Sequence, residues 1–411
     1  MNFHQHVLPN GLQIIGETNP SALSAAVAFW VRTGGRDETP DVLGVSHFLE
    51  HMVFKGTQRR NPFQVNRDFS LIGADNNAFT SEENTVFHAA VLPEYLPQLV
   101  DVLADIMRPS LREEDFNTEK KVILDEIVRY SVQPQSAAYD RAREFYFRDH
   151  PLGNQVLGTT ESITALTRDQ MQKYFDSRYT AGNIHAIAVG NYDWEAFTKL
   201  IEKACGNWPA GQVVRQHRHE VAGPGGQKVV TVPAEKSAQE YVIMMAPGPA
   251  ADHPLRYASA VLSTIVGDYT GSRLYWALVD PGLADNAGMG SDEYDRAGCQ
   301  FVSYSCDPEN AAECLEIARE VLAEVQKNGI TEEELQQAKT KIASREVRAG
   351  ERTSRRMFTI AKDWAYLNQY RTVDDELREL NLVTRKSISE ALERYPIDQM
   401  TTTAYGPLEK L

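Results

Sequence analysis

The sequence predicts an α+β protein of two homologous domains, each an antiparallel sheet packed against helices. Three observations carry that expectation. The 411 residues are 42% hydrophobic and 24% charged, an ordinary globular composition, and their length suggests two or three cores. A Gly- and Pro-rich stretch from Cys205 to Gly226 reads as a linker between two nearly equal halves. The order of strand and helix signals before the linker recurs after it. The expected boundaries are therefore 1–208 for the first domain, 209–226 for the linker and 227–411 for the second.

The elements follow in order. Asn10-Gly11 sits between apolar runs in Val7–Ile15, a hairpin signal. Ala25–Val31 is a continuous apolar strand. Thr39-Pro40 resembles an N-cap followed by proline at the first helical position, which predicts one helix to about Phe54, ended by Gly56. A strand at Thr85–Val91 and helices over Glu94–Met107 and Glu113–Tyr130 come next. A helix near Arg168–Tyr179, a strand at Ile184–Val189 and a helix from Asp193 close the half. The second half repeats the order with strands at Lys228–Val232 and Glu240–Ala246, a helix from Pro254 to about Val266, a strand at Cys299–Cys306 and a helix at Asn310–Val325. Thr331–Lys339 then echoes Arg112–Lys120.

Charge and composition exclude several classes of function. The formal net charge is −15, which disfavours nucleic acid and anionic membranes as partners. No apolar run approaches the ~18 residues of a membrane-spanning helix. The opening Met1–His6 has no basic segment leading into an apolar stretch, so a cytoplasmic location is expected. Cys205, Cys299, Cys306 and Cys314 are too few for a disulfide framework and read as reduced, buried thiols. Every histidine lies at or before His253, so a His-based site belongs to the first domain.

The informative motif is His47-Phe48-Leu49-Glu50-His51. Its histidines are one helical turn apart, so both imidazoles leave one face and suit two ligands of a single metal ion. Glu50 lies beside them and can take a proton from a metal-activated water. The surrounding Phe48, Leu49, Met52, Val53 and Phe54 make a plain solvated face a poor explanation. A third ligand is needed, and a carboxylate from another helix is the usual completion. Glu119 and Glu126, seven residues apart, share a helix face. On the residues alone, that pair reads rather as surface carboxylates bridged to Lys120 and Lys121. His88 on its strand and His150 in the His150-Pro151-Leu152-Gly153 turn read as structural.

His47–His51 continues as Met52-Val53-Phe54-Lys55-Gly56-Thr57, and this stretch resembles the signature of the pitrilysin/insulinase family of inverted zincins. The likeness is to its mitochondrial-processing-peptidase-like branch. Asn77–Ser81, Glu119–Glu126, His150–Gly153 with Gly158-Thr159, and Gly271–Tyr275 also match. The resemblance covers nearly the whole chain and is strongest between residues 40 and 190. It implies a zinc-dependent endopeptidase acting on peptides or unfolded segments. His47, His51 and Glu126 then match the Zn²⁺ ligands, Glu50 the catalytic base, and Glu119 an acidic residue supporting the site. Asn77, Ala78, Phe79 and Thr80 match an edge strand that holds peptide substrate by strand addition; otherwise they form an ordinary exposed edge. The partner implied is a second copy or a homologous subunit, giving a homodimer or heterodimer.

The chain departs from that pattern in its second half. Active members carry an Arg and a Tyr seven apart, where this chain has Leu278–Asp285, one residue short. Asp285 occupies the Tyr position and Val279 or a gap the Arg position. An ionised carboxylate cannot donate a hydrogen bond to a developing oxyanion. Arg273 and Tyr275 lie nearby in sequence. The alternative reading is a non-catalytic or weakly active subunit that needs a partner to supply the pair; a more remote one is a non-hydrolytic zinc protein.

Overall fold

The computed structural model describes residues 1–211, 215, 228–234 and 237–411. Most of the expected linker, 209–226, lies outside those residues. The first half forms β1 (Asn2–Val7), β2 (Gln13–Thr18), β3 (Ala25–Val31), α1 (Val45–Val53), α2 (Pro62–Leu71), β4 (Asp75–Thr80), β5 (Thr85–Val91), α3 (Leu96–Ile106), α4 (Glu113–Ser131), α5 (Pro134–Phe147), α6 (Thr160–Ala165), α7 (Arg168–Arg178), β6 (Ile184–Gly190) and α8 (Trp194–Cys205). The second half forms β7 (Val229–Pro233), β8 (Glu240–Pro247), α9 (Arg256–Gly267), β9 (Asn286–Tyr294), β10 (Ala297–Cys306), α10 (Ala311–Asn328), α11 (Glu332–Gly350), α12 (Thr353–Leu367), α13 (Val373–Leu382), α14 (Arg385–Arg394) and β11 (Thr401–Gly406).

Two sheets result, one in each of two compact units. The first runs β1-β2-β6-β3-β5-β4 and the second β7-β11-β8-β10-β9. Without β1, the two orders are the same topology, which is the internal duplication expressed as structure. Each sheet is mixed rather than purely antiparallel: β2 pairs parallel with β6, and β7 with β11. In both cases the first strand of the repeat pairs with its last, a contact that strand signals alone do not orient.

The units do not follow the contiguous halves. The first unit takes Met1–Val128, the stretch from Asn154 that includes β6 and α8, and Ala349–Tyr370. The second takes Arg129–Gly153, β7 through Arg348, and Arg371–Leu411. Thus α12 belongs to the first unit and α5 to the second. In the first unit this explains the unbroken apolar run of β3. Val27, Phe29 and Val31 join the core beneath α1 and α3, while Ala26, Ala28 and Trp30 pack against Met357, Ile360, Ala361 and Trp364 of α12. A strand covered on both faces is apolar throughout.

The helix expected over 39–54 is broken. Pro40–Val42 forms a single 3₁₀ turn, and α1 starts at Val45. Between them Gly44 has φ +86°, and a Cβ there would lie 2.6 Å from the Leu157 carbonyl oxygen. Only glycine accommodates both constraints.

A buried ion pair fixes α12 to the first sheet. The Arg356 guanidinium donates to Glu17 of β2 at 2.7 and 3.0 Å, and the Tyr370 hydroxyl donates to the same carboxylate at 2.6 Å. Their side chains are 3% and 1% exposed for Arg356 and Glu17. Replacing Arg356 with Met leaves Glu17 buried without its cation, and should cost about 3–5 kcal/mol. Urea unfolding should show that loss, with part of it recovered when Glu17→Gln is added.

Candidate metal centre

The site lies within the first unit, where α1 crosses α4. The α1 register sets the two histidines on one face, their ring centroids 4.8 Å apart. Phe48 stacks on Phe116 of α4 at 4.8 Å, which holds the crossing. The N-terminus of α1 is fixed by Glu38, whose carboxyl oxygens accept from the Gly44 and Ser46 N–H groups at 2.6 and 2.7 Å. Ser46 and Tyr174 of α7 share a hydroxyl–hydroxyl bond of 2.8 Å.

His47, His51 and Glu126 each offer one ligand atom, and these atoms lie within 4.8 Å of one another. The Glu126 Oε2 atom is 3.5 Å from His51 Nε2 and 3.9 Å from His47 Nε2. Two imidazole nitrogens and a carboxylate suit a zinc-type ion with an open fourth position. Burial, assisted by neighbouring His51, lowers the His47 pKa to about 3. His47 is therefore neutral at physiological pH, the form that binds a metal. At His51 burial acts downward, but the hydrogen bond it donates to Glu119 and the charges of Glu126, Glu119 and Glu50 outweigh it and raise the pKa.

Glu119 does not join that trio. Its Oε1 is 2.8 Å from His51 Nδ1, and its Oε2 is 2.6 Å from Lys55 Nζ. Despite burial, those two partners hold its pKa below the usual carboxylate range. It bonds the His51 imidazole and offers no ligand atom to the trio, a positioning contact rather than the expected catalytic one. The surface-pair alternative fails as well: Lys120 Nζ donates instead to the Thr164 and Leu166 carbonyls, at 2.8 and 2.6 Å.

Glu50 is half-buried and accepts the Thr80 hydroxyl at 2.7 Å. Burial raises its pKa, opposed by Thr80 and His51, an environment suited to a group that takes and returns a proton. Thr80 ends β4, which among the described residues pairs only with β5 and forms an edge of its sheet. Along β4 the side chains alternate. Ala78 and Thr80 face α1, whereas Phe79 packs between Trp30 and Phe358, its ring 5.9 Å from the latter. Asn77 Oδ1 accepts the Ala78 N–H at 2.9 Å. His88 lies opposite Asn77 and packs edge-on against Phe358 at 4.8 Å; His150 Nδ1 accepts the Leu152 N–H at 3.1 Å. Both are structural.

Within the second unit, the Arg273 guanidinium is bound by Glu334 at 2.7 and 3.0 Å and also meets Glu324. The Asp285 carboxylate bonds the Gln239 amide, and the Tyr275 ring packs edge-on with Trp276. Arg273 is thus engaged in its own unit's ion pairs. Sequence reasoning missed Glu38 and Lys55. Lys55 was within the quoted signature, but only the fold brings it to Glu119. Glu38 lies outside every motif and carried no signal. All four cysteines are buried and free. Among the described residues no helix is long and apolar enough to cross a membrane.

Two duplicated sheet-and-helix units, one with an HxxEH helix crossed by a second carboxylate-bearing helix, define an inverted-zincin architecture. The family model for insulinase (peptidase family M16) matches residues 13–160, and that for the peptidase M16 inactive domain matches residues 165–342. An uncharacterized zinc protease of Streptomyces coelicolor is 32% identical over 98% of this chain and 89% of its own length. One from Bacillus subtilis, YmxG, is 29% identical over 94% and 93%. A Helicobacter pylori protease superposes with a TM-score of 0.91 at 21% identity, covering 98% of this chain and 99% of that one. A Pseudomonas fluorescens peptidase M16 inactive domain gives 0.90 at 17%, covering 100% and 99%. The chain belongs to the M16 (insulinase) peptidase family.

The Glu38 cap makes a pH prediction. Burial raises its pKa from 4.5 to about 8, against two backbone N–H bonds. The folded protein therefore holds this proton more tightly than the unfolded chain. The stability gained is complete below the unfolded pKa and disappears as pH rises through about 8. Thermal unfolding followed from about pH 5 to 8 should show a fall in midpoint that is shallower in Glu38→Gln.

Proposed function

We propose that the chain is a zinc-dependent endopeptidase that hydrolyses peptides or unfolded polypeptide segments. The observation that carries this reading is the convergence of His47, His51 and Glu126 ligand atoms within 4.8 Å, with Glu50 alongside. His47, His51 and Glu126 would hold the ion, which supplies Lewis acidity toward the scissile carbonyl and water. Glu50 takes the water proton and returns it to the leaving amine. The Thr80 hydroxyl fixes which Glu50 oxygen is free for that exchange. The open edge of β4 supplies main-chain donors and acceptors that align an extended peptide without reading its sequence. The four unpaired thiols suit the reducing cytoplasm.

A second reading is favoured by the engagement of Arg273 and by Asp285 at the Tyr position. In it the chain alone is a weak peptidase, and a homologous subunit or second copy supplies the missing donors. Assaying the chain alone against an unstructured peptide, with and without zinc, separates the two readings.

Glu50→Gln should keep stoichiometric zinc while hydrolysis falls by ~10²-fold or more. His51→Ala should lose the metal. Zinc lost in Glu50→Gln, or retained fully in His51→Ala, would overturn these roles. Lys55 generates a further prediction through Glu119. Lys55→Met should weaken zinc binding by up to ~10-fold, the low end of what losing the carboxylate on a ligand's outer nitrogen costs, because Lys55 acts only through that carboxylate. Lys55→Arg should restore most of it. Competition against a chromogenic chelator reads both.

A further inference from the structure

Away from this site, the first unit contains an open pocket of about 990 Å³ among α3, α7 and α8. Its wall includes Arg108, just beyond α3. The Arg108 guanidinium stacks 3.9 Å over the Trp208 ring and lies 5.7 Å from the Phe175 ring. Nη1 donates to the Met107 carbonyl at 2.8 Å. Nε and Nη2 are buried and have no acceptor among the described residues.

A buried guanidinium normally meets a carboxylate. The pocket's own carboxylates, Asp101 and Asp105, are already engaged. Arg59 and Arg60 pair with Asp101 at 2.9 and 2.5 Å, and Arg60 pairs with Asp105 at 2.8 Å. Exposed Lys203, in the last turn of α8, is a second cation of the pocket and pairs with no carboxylate among the described residues. The pocket thus carries two unneutralised cations in a chain of net charge −15. Cation–π contact compensates the desolvation of Arg108 only in part. Consistent with that shortfall, burial lowers its pKa to about 10.

We propose that this pocket is an oxyanion-binding site, taking a carboxylate or phosphate borne on an apolar body, with Arg108 as anchor and Lys203 as second cation. The oxyanion would supply the acceptors that Nε and Nη2 lack among the described residues. Val100, Ala104, Leu200 and Phe175 provide apolar wall for the rest of the ligand. Phosphate and carboxylate share this chemistry, and Arg presents the same planar fork to either.

The test is calorimetric titration of the whole chain with sodium phosphate and, separately, sodium hexanoate, each against sodium chloride at equal ionic strength. At least one probe should bind saturably at a single site in the millimolar range or below. Arg108→Met should weaken it by ~10-fold or more, as expected for loss of charge-assisted hydrogen bonds. Phosphate alone binding indicates a phosphorylated ligand; preference for hexanoate indicates a carboxylate on an apolar chain. If Arg108→Met does not fold, Arg108→Lys carries the test: it keeps the charge, loses the fork and should still bind more weakly than the parent. Saturable binding of neither probe, or equal affinity in the folded Arg108 variant, overturns the proposal.

Discussion

The candidate centre depends on one imidazole held at both ends. The α4 helix presents Glu119 to His51 Nδ1 and, two turns later, Glu126 beside His51 Nε2. Carboxylates seven residues apart start ~10 Å apart along the helix axis, and the ring between them takes up part of that span. Ring orientation, metal-facing nitrogen and helix crossing are therefore one constraint. The remaining local structure keeps α1 where this constraint can be met. Gly44 admits the chain into the helix at φ +86° beside Leu157, Glu38 satisfies the first N–H groups, and Phe48 on Phe116 sets the crossing.

Charge balance follows from the same geometry. Glu50, Glu119 and Glu126 converge on a region where His47 is neutral. Lys55 offsets one of the three negative charges. A dication at His47, His51 and Glu126 would offset the remaining two, so the donor set and the charge count favour the same kind of ion. Lys55, just beyond the end of α1 and itself no candidate ligand, bears on the site through Glu119. It keeps Glu119 ionised as an acceptor for the histidine and leaves the His51 inner nitrogen free.

What the sequence disclosed and what it did not divide along physical lines. Helical periodicity within one segment was readable: the i, i+4 histidines, and the seven-residue spacing of Glu119 and Glu126. So was the repeated order of strands. The roles of Glu126 and Glu119 needed the family likeness, because spacing alone rather favoured salt bridges to Lys120 and Lys121. Contacts between distant segments left no local trace. These include the parallel β2–β6 pairing, the placement of α12 in the first unit, the Glu38 cap and the Thr80–Glu50 bond. The broken helix before Val45 misled because Thr39-Pro40 is a true local start signal, overridden by a tertiary demand on Gly44.

The duplication shows which of these features serve the fold and which serve the site. Helices α4 and α11 have the same length, 19 residues, and begin at equivalent points of the shared pattern. Lys120 donates to carbonyls at the end of α6, and its counterpart Lys339 donates to the Asn381 carbonyl near the end of α13. Phe116 is matched by Leu335, and both are buried. Those residues hold helix to helix, and they recur. The carboxylates do not. The position of Glu119 is taken by buried Ala338, and that of Glu126 by Arg345, which pairs with Asp268 at 2.6 Å. A guanidinium there excludes a cation and uses its charge for an ion pair instead. The second unit therefore shares the packing of the repeat and carries a buried alanine and an ion-paired arginine at the two carboxylate positions. The first unit, whose carboxylates at those positions converge on His47 and His51, is the one shaped by demands beyond folding.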